Sequence, residues 1–208
     1  YHRLPPRLMH AWQSLLDWWF GADPGTATEV AAARQRLWFG KRDSQDHEAK
    51  VRFGALVEQA LTGELPGWAD EPQGWLAQLI LLDQLPRMIY RDTPRAFAGD
   101  SLARPLLQKG LERGWDRRLT PIQRVFAYLV YEHAEDLWLQ DRAVELFSEL
   151  LDEAAVDDHA VFADFLDFAQ RHQRIIARFA RFPHRNAILG RASTEEEQAF
   201  LREPGSRF

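Results

Sequence analysis

A chain of 208 residues, 46% of them apolar and 27% charged, has the make-up of a globular protein with room for a substantial core. Its net charge of −5 argues against a nucleic-acid partner, and no apolar run reaches the roughly 18 residues that a membrane span needs. Cysteine is absent, which excludes disulfides, thiolate metal sites and a cysteine nucleophile, and fits a reducing, cytoplasmic location.

Strict alternation of apolar and polar residues is sustained nowhere, whereas helical spacing recurs throughout. Tyr1 to Pro6 carries no apolar run of signal-peptide type, and residues 1–7 read as an extended or disordered start. Leu8, Trp12, Leu15, Leu16 and Trp19 share one face of a first helix, which stops at Gly21. Thr26 with Glu29 reads as a capping box for a second helix ending at Gly40. A third covers residues 45–62. Residues 73–85 include Trp75-Leu76-Ala77-Gln78-Leu79-Ile80-Leu81-Leu82, apolar on every face, which predicts the central helix of the fold. Pro86 is expected to end or kink it.

Thr93-Pro94 predicts a further helix start, and Asp100 a cap for the next helix, within which Pro105 should distort the first turns. Thr120 and Gln123 form another capping box. A helix through Leu137 to Ala154 follows, then a long one from about Asp157 that must stop before Pro183. A last short helix is capped by Ser193 or Thr194. The prediction is an all-α protein, eight to ten helices in antiparallel pairs, forming a single compact domain over residues 1–208.

No phosphate loop, dinucleotide fingerprint or nucleophile elbow occurs. No two histidines stand three or four residues apart, so no metal site is expected, and no cofactor. Three polar strings remain. The first holds Asp83, Arg87, Tyr90 and Arg91 directly after the most apolar segment, where charge must be paired or must line a pocket. The second is Glu132-His133-Ala134-Glu135; the i, i+3 spacing places both carboxylates on one helical face. The third runs from His172 through Arg178, Arg181, His184, Arg185 and Asn186 to Arg191. Arg171 and Arg174 read as a solvated stripe. Interleaved aromatics predict partial burial of Arg178, Arg181 and Arg185, and buried Arg needs a carboxylate or an anionic ligand.

The strings Leu82-Asp83-Gln84-Leu85-Pro86-Arg87, Phe97-Ala98-Gly99-Asp100, Glu132-His133-Ala134-Glu135 and Arg178-Phe179-Ala180-Arg181-Phe182-Pro183-His184-Arg185-Asn186 together resemble the bacterial family called domain of unknown function 924, over roughly residues 13–208. The resemblance implies an all-helical, tetratricopeptide-like fold and no particular activity. Ala134 stands where the family usually has Ser, Ala180 where it usually has Gly, and Pro105 replaces a helix former. A mechanism using a hydroxyl at position 134 is therefore not open to this chain.

If the strings converge, they predict a pocket for a small acidic or phosphorylated ligand, with acid–base groups available for catalysis. The alternatives are a helical protein-interaction scaffold and a set of purely structural Arg–carboxylate networks.

Overall fold

The computed structural model describes residues 10–23, 25–65 and 67–208; the expected start at residues 1–7 lies outside them. Among the described residues ten α-helices run in chain order: α1 (Gln13–Phe20), α2 (Ala27–Phe39), α3 (Asp43–Thr62), α4 (Pro72–Ile89), α5 (Asp100–Glu112), α6 (Pro121–Glu132), α7 (Leu137–Glu153), α8 (His159–Phe179), α9 (Asn186–Leu189) and α10 (Glu195–Leu201). The described residues contain no strand. No described helix is long and apolar enough to cross a membrane.

Several of the local signals operate in the fold. Thr26 and Thr194 accept from the backbone N–H three residues on, and Glu29 and Glu197 return the bond. Gly63 closes α3 in the left-handed region, at φ 77°. Thr93-Pro94 opens a 3₁₀ turn, Pro94–Phe97, rather than an α-helix.

Packing is most extensive between neighbours in sequence, α3 with α4, α4 with α5, α6 with α7 and α7 with α8, and α4 also lies against α6. Fourteen of the eighteen residues of α4 are buried, which makes it the central helix. Leu79 and Leu81 are both fully buried. Replacing either with Ala should cost about 2–5 kcal/mol in urea unfolding; a loss below about 1 kcal/mol at both would place α4 at the periphery. Gly110 lets α5 press onto this helix, since a Cβ there would stand 2.6 Å from Trp75 Nε1.

Two prolines lie inside helices. Pro86 neither ends nor breaks α4, which runs on to Ile89. Its missing N–H frees the Leu82 carbonyl, and the backbone of Gly99 lies directly against that carbonyl. Pro105 is likewise accommodated inside α5, which starts at Asp100 with Gly99, not Asp100, at the capping position.

A large apolar cluster unites α1 to α7 and the first half of α8, with Trp19, Trp75, Phe126 and Phe147 at its centre. A second, smaller cluster joins Ile175, Ile176 and Phe182 to Phe179, Phe200 and Phe208.

Candidate functional site

The site is assembled where α4, the start of α5, the turn after α6 and the 3₁₀ turn Pro183–Arg185 meet. α4 places Asp83 and Arg87 one turn apart. Arg87 makes a two-pronged bond to Asp100, Nη1–Oδ1 2.8 Å and Nη2–Oδ2 2.9 Å, and stands 3.5 Å from Asp83 Oδ1. Asp100 is available because the chain folds at Gly99 tightly over α4.

α6 ends at Glu132, earlier than the i, i+3 reading requires. Gln140 of α7, fully buried, donates its side-chain amide to the carbonyls of Glu132, at 2.6 Å, and Ala134, at 2.7 Å. These bonds satisfy open carbonyls at the helix end and turn the chain outward. Glu132 and Glu135 therefore do not share a helical face. Glu132 points into the core, and Glu135 reaches the C-terminal segment.

His133 lies between them. Its Nδ1 is 2.8 Å from Asp83 Oδ1, while Gln84 Nε2 donates to Asp83 Oδ2 at 2.7 Å. Burial acts to raise the Asp83 carboxyl, but His133, Arg87 and these hydrogen bonds overcome it and hold the group well below the usual carboxylate range. Burial, helped by Arg87, keeps the His133 imidazole below its ordinary 6.5 despite Asp83. At neutral pH the pair is a neutral imidazole donating its Nδ1 proton to a carboxylate, which leaves Nε2 as the free nitrogen. His133 lines an open cleft of about 390 Å³, together with Phe97, Asp100, Ser101, Arg104, Glu135, Asp136, Leu139, Arg185 and Leu189.

The third string completes the cluster. Glu135 accepts from Arg191 through both oxygens, at 2.8 and 3.1 Å, and from the Phe182 N–H at 2.7 Å. Burial raises its carboxyl, and these partners with Arg185 bring it below the ordinary value. Arg185 is 6% exposed and lies between the rings of Phe97 and Phe182, each 4.6 Å from its guanidinium carbon. It donates one hydrogen bond, from Nη2 to the His133 carbonyl at 2.9 Å. Asp100 and Glu135 approach Nη1 only to 3.9 and 4.0 Å, and Nε has no partner. Burial and the neighbouring Arg87 pull the Arg185 guanidinium down to about 10.

Charges thus alternate along one line: Asp83, Arg87, Asp100, Arg185, Glu135, Arg191. Three carboxylates face three guanidinium groups, with the neutral His133 at one end.

The remaining predicted residues lie elsewhere. Tyr90 bonds Glu58 of α3, and Arg91 grips Asp46 at 2.7 and 2.8 Å, so both tie α4 to α3. Arg178 is exposed, against its expected burial, and meets Glu196 at 3.0 Å. Arg181 is held by Glu197, which Asn186 also contacts at 3.3 Å; these bonds close the C-terminal segment on itself. His172 is buried beside Glu132, with its Nδ1 2.8 Å from the Phe168 carbonyl, and its ring stacks on Phe208. Burial takes His172 down to about 3 and His184 to about 4. Among the described residues no cluster of His, Asp and Glu is arranged to hold a metal.

Asp100, Arg104, Gln84 and Gln140 escaped the sequence reading as site residues. Asp100 had a signal, since it closes the string that begins at Phe97. Gln140 had none, because a buried amide that serves a neighbouring helix leaves no local pattern.

An all-helical architecture carrying a charge-paired cleft at the junction of four segments defines the class. Residues 15–205 match the family described as bacterial protein of unknown function (DUF924), and the chain belongs to it. A solved structure of a protein of unknown function from Agrobacterium tumefaciens is similar, at 35% identity and a TM-score of 0.71, covering 85% of this chain and 96% of that one. No functionally curated protein matches the chain.

Proposed function

We propose that the cleft at His133 binds a small organic or phosphorylated anion, with Arg185 as its anchor. The observation that carries this reading is the state of Arg185. A guanidinium has five N–H donors, yet this one makes a single hydrogen bond while nearly buried between two aromatic rings. Under-used donors at the wall of a cleft suit an anion that accepts two of them. His133 stands on the same wall with its imidazole oriented by Asp83, which equips the site to take or give a proton once a substrate is bound. Arg104, on the same wall, has no ion-pair partner among the described residues and adds positive charge.

A second reading rests on Glu135. Its carboxylate already fills the position beside Arg191 that a free anion would take, and the balanced charges need no ligand to be neutral. On this reading the line of ion pairs is structural.

The two readings part in a thermal-shift titration at constant ionic strength. A ligand that binds only the folded state stabilises by about 2.7 kcal/mol at a hundredfold excess over its dissociation constant. Phosphate or acetate should therefore raise the melting temperature of the natural chain. Arg185→Met, which keeps an apolar stem between Phe97 and Phe182, should fold and lose the shift. No shift in the natural chain with either anion would leave the structural reading standing.

A further inference from the structure

The cleft at His133 does not end at Arg104. A second open cleft of about 350 Å³ continues from it, and Ser101, Arg104 and Leu139 belong to both. The walls change character along this path. The first part is charged. The second is formed chiefly by Pro105, Tyr131, Trp138 and Leu139.

Trp138, on the wall of this second part, is 72% exposed. An indole left this open in a chain that buries Trp19 and Trp75 completely marks a surface shaped for contact rather than for the core. Pro105, the residue that helix formation disfavours most in α5, lines this part of the cleft. Apolar walls with a few convergent polar groups are the usual make-up of a small-molecule site, and the combined volume lies in the usual range of a few hundred Å³.

The sign and amount of charge narrow the ligand further. Asp100, Glu135 and Asp136 also line the charged part. A dianion would meet three carboxylates there, whereas one negative charge finds Arg185 and Arg104 with the least repulsion.

We infer that the two clefts form one site for a monocarboxylic acid with an apolar tail, its carboxylate on Arg185 and its tail against Trp138 and Pro105. The inference rests on the anion-binding reading of Arg185 and adds the ligand class. Burying roughly 60 Å² of apolar tail corresponds to about a tenfold gain in affinity.

The test compares acetate, inorganic phosphate and 3-phenylpropionate on the whole chain, by NMR titration at matched ionic strength. The indole N–H resonance of Trp138, assigned by its absence in Trp138→Ala, reports on the apolar part. The expected result is that 3-phenylpropionate binds about tenfold or more tightly than acetate, and acetate at least as tightly as phosphate. It shifts the Trp138 resonance, and Trp138→Ala removes the gain without changing acetate binding. Trp138 is largely exposed, so this variant should fold, which circular dichroism verifies. Equal affinity for acetate and 3-phenylpropionate overturns the tail while leaving the anion site intact. Tighter binding of phosphate overturns the monocarboxylate. Tail binding that survives Arg185→Met overturns the placement of the carboxylate. If none of the three binds, the anion site itself falls.

Discussion

Glu132→Gln should stabilise the protein at pH 7 and should lose that advantage as the pH approaches 4.5. Glu132 is 2% exposed, Oε1 has no hydrogen-bond partner, and burial together with the Asp83 charge raises its carboxyl well above 4.5. A carboxyl raised in the folded state holds a proton that the unfolded chain gives up. Stability therefore falls as pH rises above the unfolded value of about 4.5. Taking up a proton on folding subtracts from stability above about pH 4.5, and a neutral amide at this position removes that loss.

The buried histidines act in the opposite direction. His172 and His184 are lowered to about 3 and about 4, so the unfolded chain takes up protons below about pH 6.5 that the folded chain refuses. Each removes about 2 kcal/mol between pH 7 and pH 5, and His133, also lowered, adds to this. In the natural chain Glu132 offsets part of that loss, because its own contribution grows as pH falls. The variant lacks this compensation, so its stability should decline more steeply with acid. Urea unfolding at four pH values between 5 and 8 measures both effects. A Glu132→Gln protein that is less stable than the natural one at pH 8 would mean that the carboxyl is ionised and paired.

Gly99→Ala should be the more damaging change, costing about 4 kcal/mol or more, or abolishing the fold. The backbone dihedral at Gly99 is ordinary, at φ −86°, so the requirement is for space. An added Cβ would overlap the Leu82 carbonyl oxygen and stand 2.7 Å from its carbon and 2.9 Å from its Cα. All three are backbone atoms of the most buried helix, and none can rotate away. Relief requires the 3₁₀ turn Pro94–Phe97 and the start of α5 to lift off α4, which draws Asp100 away from Arg87. Arg87 is then left with Asp83 alone in a largely buried setting, a costly state for a charge. Chemical denaturation monitored by circular dichroism should show the loss, and a cost below about 1 kcal/mol would show that the contact is loose.

Apolar spacing, glycine stops and Thr–Glu caps are local signals, and they located the helices. The segment Trp75–Leu82 announced its central position because no surface helix is apolar on all sides. Pro86 does not end α4, and the carbonyl it frees, that of Leu82, lies against the backbone of Gly99, seventeen residues on in sequence, a contact that no spacing rule reveals. The Glu132–Glu135 face was misread because the end of α6 is set by Gln140, whose role depends on the packing of α7. In the polar strings the types of residue were legible and the partners were not. Tyr90, Arg91, Arg178 and Arg181 find carboxylates on α3 or α10, at distances in sequence that no spacing rule covers.

The two apolar clusters give the site a seam. His133, Asp83 and Asp100 stand on elements of the large cluster. Arg185 and Arg191 belong to the segment held by the small one, around Ile175, Ile176 and Phe182. Proteins open locally along such divisions at a lower free energy than global unfolding. Arg181, Asn186 and Glu197 bind the segment after α8 to itself, so local opening is expected to release it as one unit. Such an opening would break the long Asp100–Arg185 and Arg185–Glu135 links and, with them, the short bonds of Glu135 to Arg191 and to the Phe182 N–H. A ligand lodged between Arg185 and His133 would then work as a staple across the seam, and amide hydrogens from 175 onward would exchange more slowly whenever it is bound.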